Sequence, residues 1–246
     1  MNFYAVIIGT EILNNRRQDK HFEFLKNELS KYGHTLFASF LIKDDVELIK
    51  NCFELIKADK NSILFSFGGI GSTPDDLTRE IASKVFRNKP TTPHKKFLKD
   101  IIEKFNEEAY PHRIHMADLP PDSQLLYNPV NNMSGFSLDD RFFFVPGFPI
   151  MAHPMISSTI SEKFSNKQKI YRKTLLAQTS ENTLIDIMQK IPKDIELSSL
   201  PIFKHNKPSV ELSLSGSEYE KVEDFFNLFI EKLEKKQIDY KLLTDK

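Results

Sequence analysis

The sequence predicts an α/β protein in which a parallel or mixed sheet, covered by helices on both faces, is followed by a small α+β domain. Three observations carry that expectation. Apolar runs of strand length alternate with stretches of helical periodicity over the first two-thirds of the chain, and glycine turns follow several of the runs. A polar stretch, Ser165–Lys169, then separates these elements from a second series in the order βαββα.

Met1–Ile8 runs apolar into Gly9 without the basic segment of a signal peptide, and reads as a buried strand. Phe22, Leu25, Leu29 and Tyr32 then recur at helical spacing, and Gly33 stops that helix. His34–Ile42 is β-rich. Asp44 and Asp45 open a second helix, where carboxylates meet the positive end of the dipole, and Val46, Ile49, Cys52, Phe53 and Ile56 make its inner face. Asn61–Phe67 is the next strand, broken by Gly68-Gly69-Ile70-Gly71. Thr73-Pro74-Asp75-Asp76 reads as a helix start, with Thr73 as cap, Pro74 in the first position and Asp76 as the capping-box acid.

Phe97–Ala109 reads as a helix and Pro111–Leu126 as irregular chain leading to a strand. Phe142–Val145 is a buried strand ended by Pro146-Gly147-Phe148-Pro149, and a helix with Met151, Met155, Ile156 and Ile160 inside closes a first domain, 1–166. The second domain, 169–246, reads as strand 170–177, helix 181–191, strands 195–203 and 208–214 joined through His205-Asn206-Lys207-Pro208, and helix 217–237. Its core is expected from Leu212, Leu214, Val222, Phe225, Phe226, Phe229 and Leu233.

Lysine plus arginine and aspartate plus glutamate each number 34, so no overall basic field favours nucleic acid, and none is expected as a partner. The single cysteine, Cys52, excludes an intrachain disulfide. No apolar run reaches the ~18 residues of a membrane helix, so a cytoplasmic protein without membrane association is expected. His112 and His115 lack partners at metal-ligand spacing, and no zinc site is expected there.

Five of the eight glycines, Gly9, Gly68, Gly69, Gly71 and Gly147, fall in three turns directly after predicted strands. In open α/β sheets ligands bind beyond the carboxyl ends of the strands, where glycine lets backbone amides approach an anion. A phosphate or pyrophosphate is the ligand such turns suit, although the same glycines also serve tight turns that bind nothing. Glu11, Asp19, Asp75 and Asp76 lie beside these turns, and a hard divalent cation would offset their repulsion. Gly68-Gly69-Ile70-Gly71 matches neither a dinucleotide fingerprint nor a Walker A loop.

Ile8-Gly9-Thr10-Glu11-Ile12-Leu13, Arg17-x-Asp19-Lys20 and Gly68 to Thr78 together resemble the molybdopterin-binding domain at the N-terminus of CinA. Arg113-x-x-Met116-Ala117-x-Leu119-Pro120, Asn128-Pro129-Val130, Gly135-Phe136 and Val145-Pro146-Gly147-Phe148-Pro149 continue the likeness in order. The resemblance implies a three-layer α/β/α fold of the molybdopterin-binding type. Related domains serve in molybdenum cofactor assembly, in eukaryotic FAD synthase, and in CinA, where the domain is associated with metal-dependent cleavage of the pyrophosphate of ADP-ribose-like dinucleotides.

Carried onto this chain, the resemblance has Gly9, Thr10, Gly68, Gly69, Gly71, Ser72 and Thr73 hold phosphates, with Asp75 and Asp76 binding a metal (magnesium, manganese or cobalt) or orienting water. Glu11 and Asp19 complete the cleft, with Glu11 placed beside Asp75 and Asp76 as catalytic, and Pro146 and Gly147 form its far wall. Residues 170–237 resemble the small middle domain of CinA, and the C-terminal deamidase domain of that family is not expected. Asn14-Asn15, Ser72 and His21 depart from the family pattern. The leading expectation is a metal-dependent nucleotide pyrophosphatase acting on ADP-ribose-like or FAD-like dinucleotides. A molybdopterin or molybdenum-cofactor binding or biosynthesis protein, and a non-catalytic nucleotide-sensing scaffold, are the alternatives. Self-association, with a dimer favoured, is expected from the family.

Overall fold

The computed structural model describes residues 1–165, 169–204 and 207–243. The chain divides into two compact units, Met1–Lys167 and Gln168–Lys246. Residues 166–168 of the Ser165–Lys169 stretch, and His205 and Asn206 of the expected strand connection, lie outside the described residues.

The first unit runs β1 (Asn2–Ile8), α1 (Thr10–Leu13), α2 (His21–Ser30), β2 (Leu36–Ile42), α3 (Val46–Ala58), β3 (Ser62–Phe67), α4 (Thr78–Ala82), β4 (Thr92–Pro93) and α5 (Lys95–Phe105). It continues through β5 (Asp118–Leu119), β6 (Gln124–Leu126), β7 (Gly135–Leu138), β8 (Phe142–Val145) and α6 (Pro149–Lys163). The main sheet is ordered β2-β1-β3-β8-β7-β6. Its first four strands are parallel, and β7 runs antiparallel between β8 and the edge strand β6.

The continuous apolar runs follow from burial on both faces, because side chains alternate along a strand. Tyr4, Val6 and Ile8 enter one core with Ile49, Phe53 and Ile56 of α3 and Phe97 and Ile101 of α5. Phe3, Ala5 and Ile7 enter the other, with Leu25 and Leu29 of α2 and Ile156 and Ile160 of α6. Phe142 and Phe144 likewise go to the first core, Phe143 and Val145 to the second. The result is the expected three-layer α/β/α arrangement, and β1, β3 and β8 end side by side at one edge.

Several local readings need correction. Only Asp45 caps α3, accepting from the Leu48 amide at 2.9 Å; Val46 is exposed and Cys52 half-buried against the core rather than both filling it. The helix expected at Thr73 starts at Thr78 instead. Asp76 does not act as a capping-box acid, because its carboxylate draws the amides of Gly71 and Thr73 into a closed loop before the helix begins. Strand β7 was not expected, and it is held by pairing with β8 and by Phe136 stacking on Phe144 at 4.5 Å.

The second unit contains β9 (Tyr171–Ala177), α7 (Ile185–Met188), β10 (Glu196–Lys204), β11 (Lys207–Gly216), α8 (Tyr219–Lys235) and β12 (Tyr240–Leu243). Its antiparallel sheet is ordered β10-β11-β9-β12. Val222, Phe226, Phe229 and Leu233 of α8 pack on Leu175, Val210, Leu212 and Leu214, with Phe225 only partly buried. The expected βαββα order holds, with a shorter first helix and the added strand β12. No helix among the described residues is long and apolar enough to cross a membrane.

Phe144 is fully buried where β8, β7 and α3 meet, and its ring also contacts that of Phe53 at 5.7 Å. Phe144→Ala is expected to cost about 3–5 kcal/mol in urea unfolding of the first unit. Phe37→Ala, at a site 63% exposed on the outer strand β2, is expected to cost about 1 kcal/mol or less. Equal losses would contradict the layering described.

Candidate functional site

The ends of β1, β3 and β8 enclose a cleft of about 380 Å³, lined by Ile8, Glu11, Arg17, Asp44, the turn Gly68 to Thr73, Asp75, Asp76 and the turn Pro146-Gly147-Phe148. A wider groove of about 820 Å³ shares Ser72, Thr73 and Asp76 with it and carries Tyr110, His112, Arg113 and His115 on its outer side.

The floor is backbone. Gly68 has φ +99° and Gly69 φ +69°, both in the region that favours glycine. A Cβ on Gly68 would also stand 2.4 Å from the Ile8 carbonyl oxygen. The Gly68 amide donates to Val145 at 3.0 Å, and Thr78 braces the turn from below, its hydroxyl donating to the Gly68 carbonyl at 3.0 Å and its amide to the Gly69 carbonyl at 3.0 Å. The amides of Gly69, Ile70 and Ser72 find no acceptor among the described residues. Free N–H groups in a glycine turn are what an anion needs.

Asp76 closes the loop: it accepts from the Gly71 amide at 2.7 Å, the Thr73 amide at 2.8 Å and the Thr73 hydroxyl at 2.6 Å. Both of its carboxylate oxygens are thereby engaged within the loop. Arg79, buried just behind, donates to the Gly71 carbonyl. Burial pulls its guanidinium below the ordinary arginine range, and Asp76, Asp118 and Glu80 counter that.

On the other wall, Thr10 is taken by Asp44, which accepts from its amide at 2.8 Å and its hydroxyl at 2.9 Å. Gly9 is extended, with φ 177°, and its amide donates to Ile42 at 3.0 Å. Neither Gly9 nor Thr10 lines the cleft. Asp19 accepts from the amides of His21 and Phe22 at 2.8 and 3.1 Å, so it caps α2 and also stands outside the lining. The structure therefore gathers Glu11, Gly68, Gly69, Gly71, Ser72, Thr73, Asp75, Asp76, Pro146 and Gly147, and leaves out Gly9, Thr10 and Asp19.

Sequence reasoning missed Asp44 and Phe148 as parts of this site. Asp44 reads as a helix-opening acid because its partner Thr10 is far away in sequence. Phe148 carries the Arg17 guanidinium over its ring at 5.5 Å. His21, buried under the far wall, donates from Nε2 to the Gly147 carbonyl at 3.2 Å. Glu11 approaches Arg17 only to 3.9 Å and is 40% exposed. Among the described residues no three His, Cys, Asp or Glu side chains are placed to hold a metal ion together.

The family model described as "Probable molybdopterin binding domain" matches residues 4–165, which is the whole of this unit's sheet and helices. The chain belongs to the molybdopterin-binding domain family. A CinA-like protein of Acaryochloris marina is 32% identical over 162 residues, 63% of this chain and 38% of that protein. A CinA-like protein of Thermosipho melanesiensis is 28% identical over 240 residues, 92% of this chain and 57% of that protein, so the likeness extends through both units. The chain thus spans about half the length of the curated relatives it matches. In a crystal structure of a CinA protein of unknown function from Thermoplasma acidophilum, 96% of that chain superposes on 65% of this one with TM-score 0.59 and 25% identity.

Two glycines separate the contributions of backbone strain and of simple turn formation. Gly68→Ala places a Cβ against the Ile8 carbonyl at positive φ and is expected to cost roughly 1–3 kcal/mol. Gly9 is extended, and a Cβ there meets only side-chain ends, Glu11 at 3.1 Å and Ile12 at 3.2 Å, so Gly9→Ala is expected to cost about 1 kcal/mol or less. Urea unfolding of the two variants checks this, and a Gly9→Ala loss equal to that of Gly68→Ala would refute it.

Proposed function

We propose that the cleft binds the phosphate end of a pterin of the molybdopterin type. The carrying observation is the turn itself: the amides of Gly69, Ile70 and Ser72 lack acceptors among the described residues where the Ser72 hydroxyl and Arg17 also line the space. Membership of the molybdopterin-binding family supports the pterin. The neighbouring groove with Tyr110 and His112 offers room for a ring system joined to that phosphate.

A divalent cation suits this arrangement. Asp76 spends both carboxylate oxygens and Asp44 its Oδ2 on backbone and hydroxyl donors, so Glu11, Asp75 and the Asp44 Oδ1 are what the lining has left to meet it. Magnesium takes one or two carboxylates and completes its shell from phosphate oxygens and water, which matches a site with too few acids for a full cage. Bound there, the cation would neutralise phosphate charge; the chain's own residues would fix the phosphate by the turn amides and the Ser72 hydroxyl and hold the wall in place.

A second reading, cleavage of the phosphoanhydride of an ADP-ribose-like or FAD-like dinucleotide, draws on Asp75. This exposed carboxylate stands at the turn's mouth, where it can orient a water toward phosphorus. The family's biosynthetic members also make an enzymatic role reasonable for this chain.

Calorimetry with 6-hydroxymethylpterin phosphate, the same pterin without phosphate, and ADP-ribose, each with magnesium, tests the readings together. The phosphorylated pterin is expected to bind at least about tenfold more tightly than the bare pterin, and Gly68→Ala to remove about that factor. Equal affinity for the two pterins would refute phosphate anchoring. AMP released from ADP-ribose by the wild type and lost in Asp75→Ala would transfer the conclusion to the hydrolase reading.

A further inference from the structure

Behind the Pro146-Gly147 wall lies a pair of imidazoles that the cleft chemistry described so far does not use. His21, at the start of α2, is only 3% exposed and stacks on Phe67 of β3 with ring centroids 4.5 Å apart. His153 of α6 meets it edge-on at 5.3 Å and itself stacks on Phe24 at 3.7 Å. His21 Nδ1 and His153 Nε2 are both buried, and neither has a hydrogen-bond partner among the described residues.

The tautomer of His21 follows from its partner. Nε2 faces the Gly147 carbonyl, an acceptor, so it carries the hydrogen, and in the neutral ring Nδ1 is a bare lone pair. A proton arriving at Nδ1 would put a cation between Phe67 and His153 with nothing to accept its hydrogen bond. The charged ring gains by moving to water, and that movement breaks its bond to Gly147. Gly147 is packed so close to Gly68 that a Cβ there would stand 3.3 Å from the Gly68 Cα, so loosening one turn loosens the other.

We propose that neutral His21 is a positioning residue that holds the Pro146-Gly147 wall against the Gly68 turn, and that protonation of the His21–His153 pair lowers the cleft's affinity for phosphate. This rests on the reading of the cleft as a phosphate site.

The surroundings set the sign. Burial is the largest influence on both rings and holds each below the ordinary histidine range, and the neighbouring His21 lowers His153 further. Asp19 favours the proton on both, and on His153 a hydrogen bond to the Lys20 backbone also favours it while the Lys20 charge opposes it. β3 presents the Phe67 ring and the far wall the Gly147 carbonyl, which favours the proton on His21. Because the folded value lies below the unfolded one, the stability these rings contribute is complete above the unfolded histidine pKa of about 6.5. It is lost as pH falls from there through the folded value, and the ligand-competent wall is lost over the same range.

Binding of inorganic pyrophosphate with magnesium is measured for the wild type, His21→Gln and His21→Leu at pH 7.5 and 5.5. Comparing variants at one pH cancels the probe's own ionisation. At pH 7.5 His21→Gln, whose amide donates from the Nε2 position without titrating, is expected within about threefold of wild type, and His21→Leu about tenfold weaker. At pH 5.5 the wild type is expected to fall at least about threefold relative to His21→Gln. Wild-type affinity in His21→Leu, or a Gln variant that loses affinity in acid as the wild type does, overturns the proposal. Amide and imidazole NMR of the unliganded wild type decides independently of any ligand: the Gly68 and Gly147 signals are expected to move with the His21 titration, and to stay fixed if the inference is wrong. Failure of the wild type to bind pyrophosphate at all, with the NMR coupling present, would instead count against the phosphate reading.

Discussion

The close approach of three strand ends governs the rest of the first unit. Gly68 sits between the Ile8 carbonyl at the end of β1 and Gly147 beyond β8, at separations where a side chain on either glycine would meet backbone. With no side chain in the floor, the chain after β3 has to turn through two successive residues of positive φ. Those residues surrender ordinary strand pairing, so some of their amides have nothing to bond within the chain. A site that presents bare backbone to a ligand is thus a consequence of how tightly the parallel strands are drawn together.

Bracing such a turn falls to carboxylates and hydroxyls acting at short range. Asp76 gathers two amides and a hydroxyl, Asp44 an amide and a hydroxyl, and Asp19 two amides at the head of α2. Hydrogen bonds to an ionised acceptor are roughly twice as strong as neutral ones. Three aspartates therefore fix the two loops that face each other across the cleft, and Thr78 ties the glycine turn to the first residue of α4. On the phosphate reading, rigidity at this place would let the ligand be met by groups already in position, with little ordering cost on binding.

The layout of the first unit was legible because β1, β3 and β8 are buried on both sides and so appear as unbroken apolar runs ending in glycine or proline. β7 was not, since four residues, Gly135–Leu138, make a strand only through pairing with β8 and a ring stack between Phe136 and Phe144. Thr73-Pro74-Asp75-Asp76 carries the residue types of a helix start, and the choice between that and a closed loop depends on whether Asp76 reaches back to Gly71, which spacing alone does not decide. The contacts of Asp44 and His21 were hidden for a different reason. Their partners, Thr10 and Gly147, are 34 and 126 residues away, and such contacts exist only once the sheet has assembled.

The division of the acids also bears on what the cleft can hold. Glu11, Asp44, Asp75 and Asp76 line it against Arg17, and a bare phosphate would meet repulsion from more carboxylates than one guanidinium offsets. The hydrogen bonds to Asp44 and Asp76 draw part of that negative charge into the loops, while Arg79 lies buried beneath Gly71 with Asp76 close by. Glu11 and Asp75 are the lining carboxylates outside those loop bonds. On the phosphate reading, that pair explains why a cation and an anion would bind there better together than either alone: the cation relieves the carboxylates, the amides relieve the phosphate, and each binding event removes the repulsion that opposes the other.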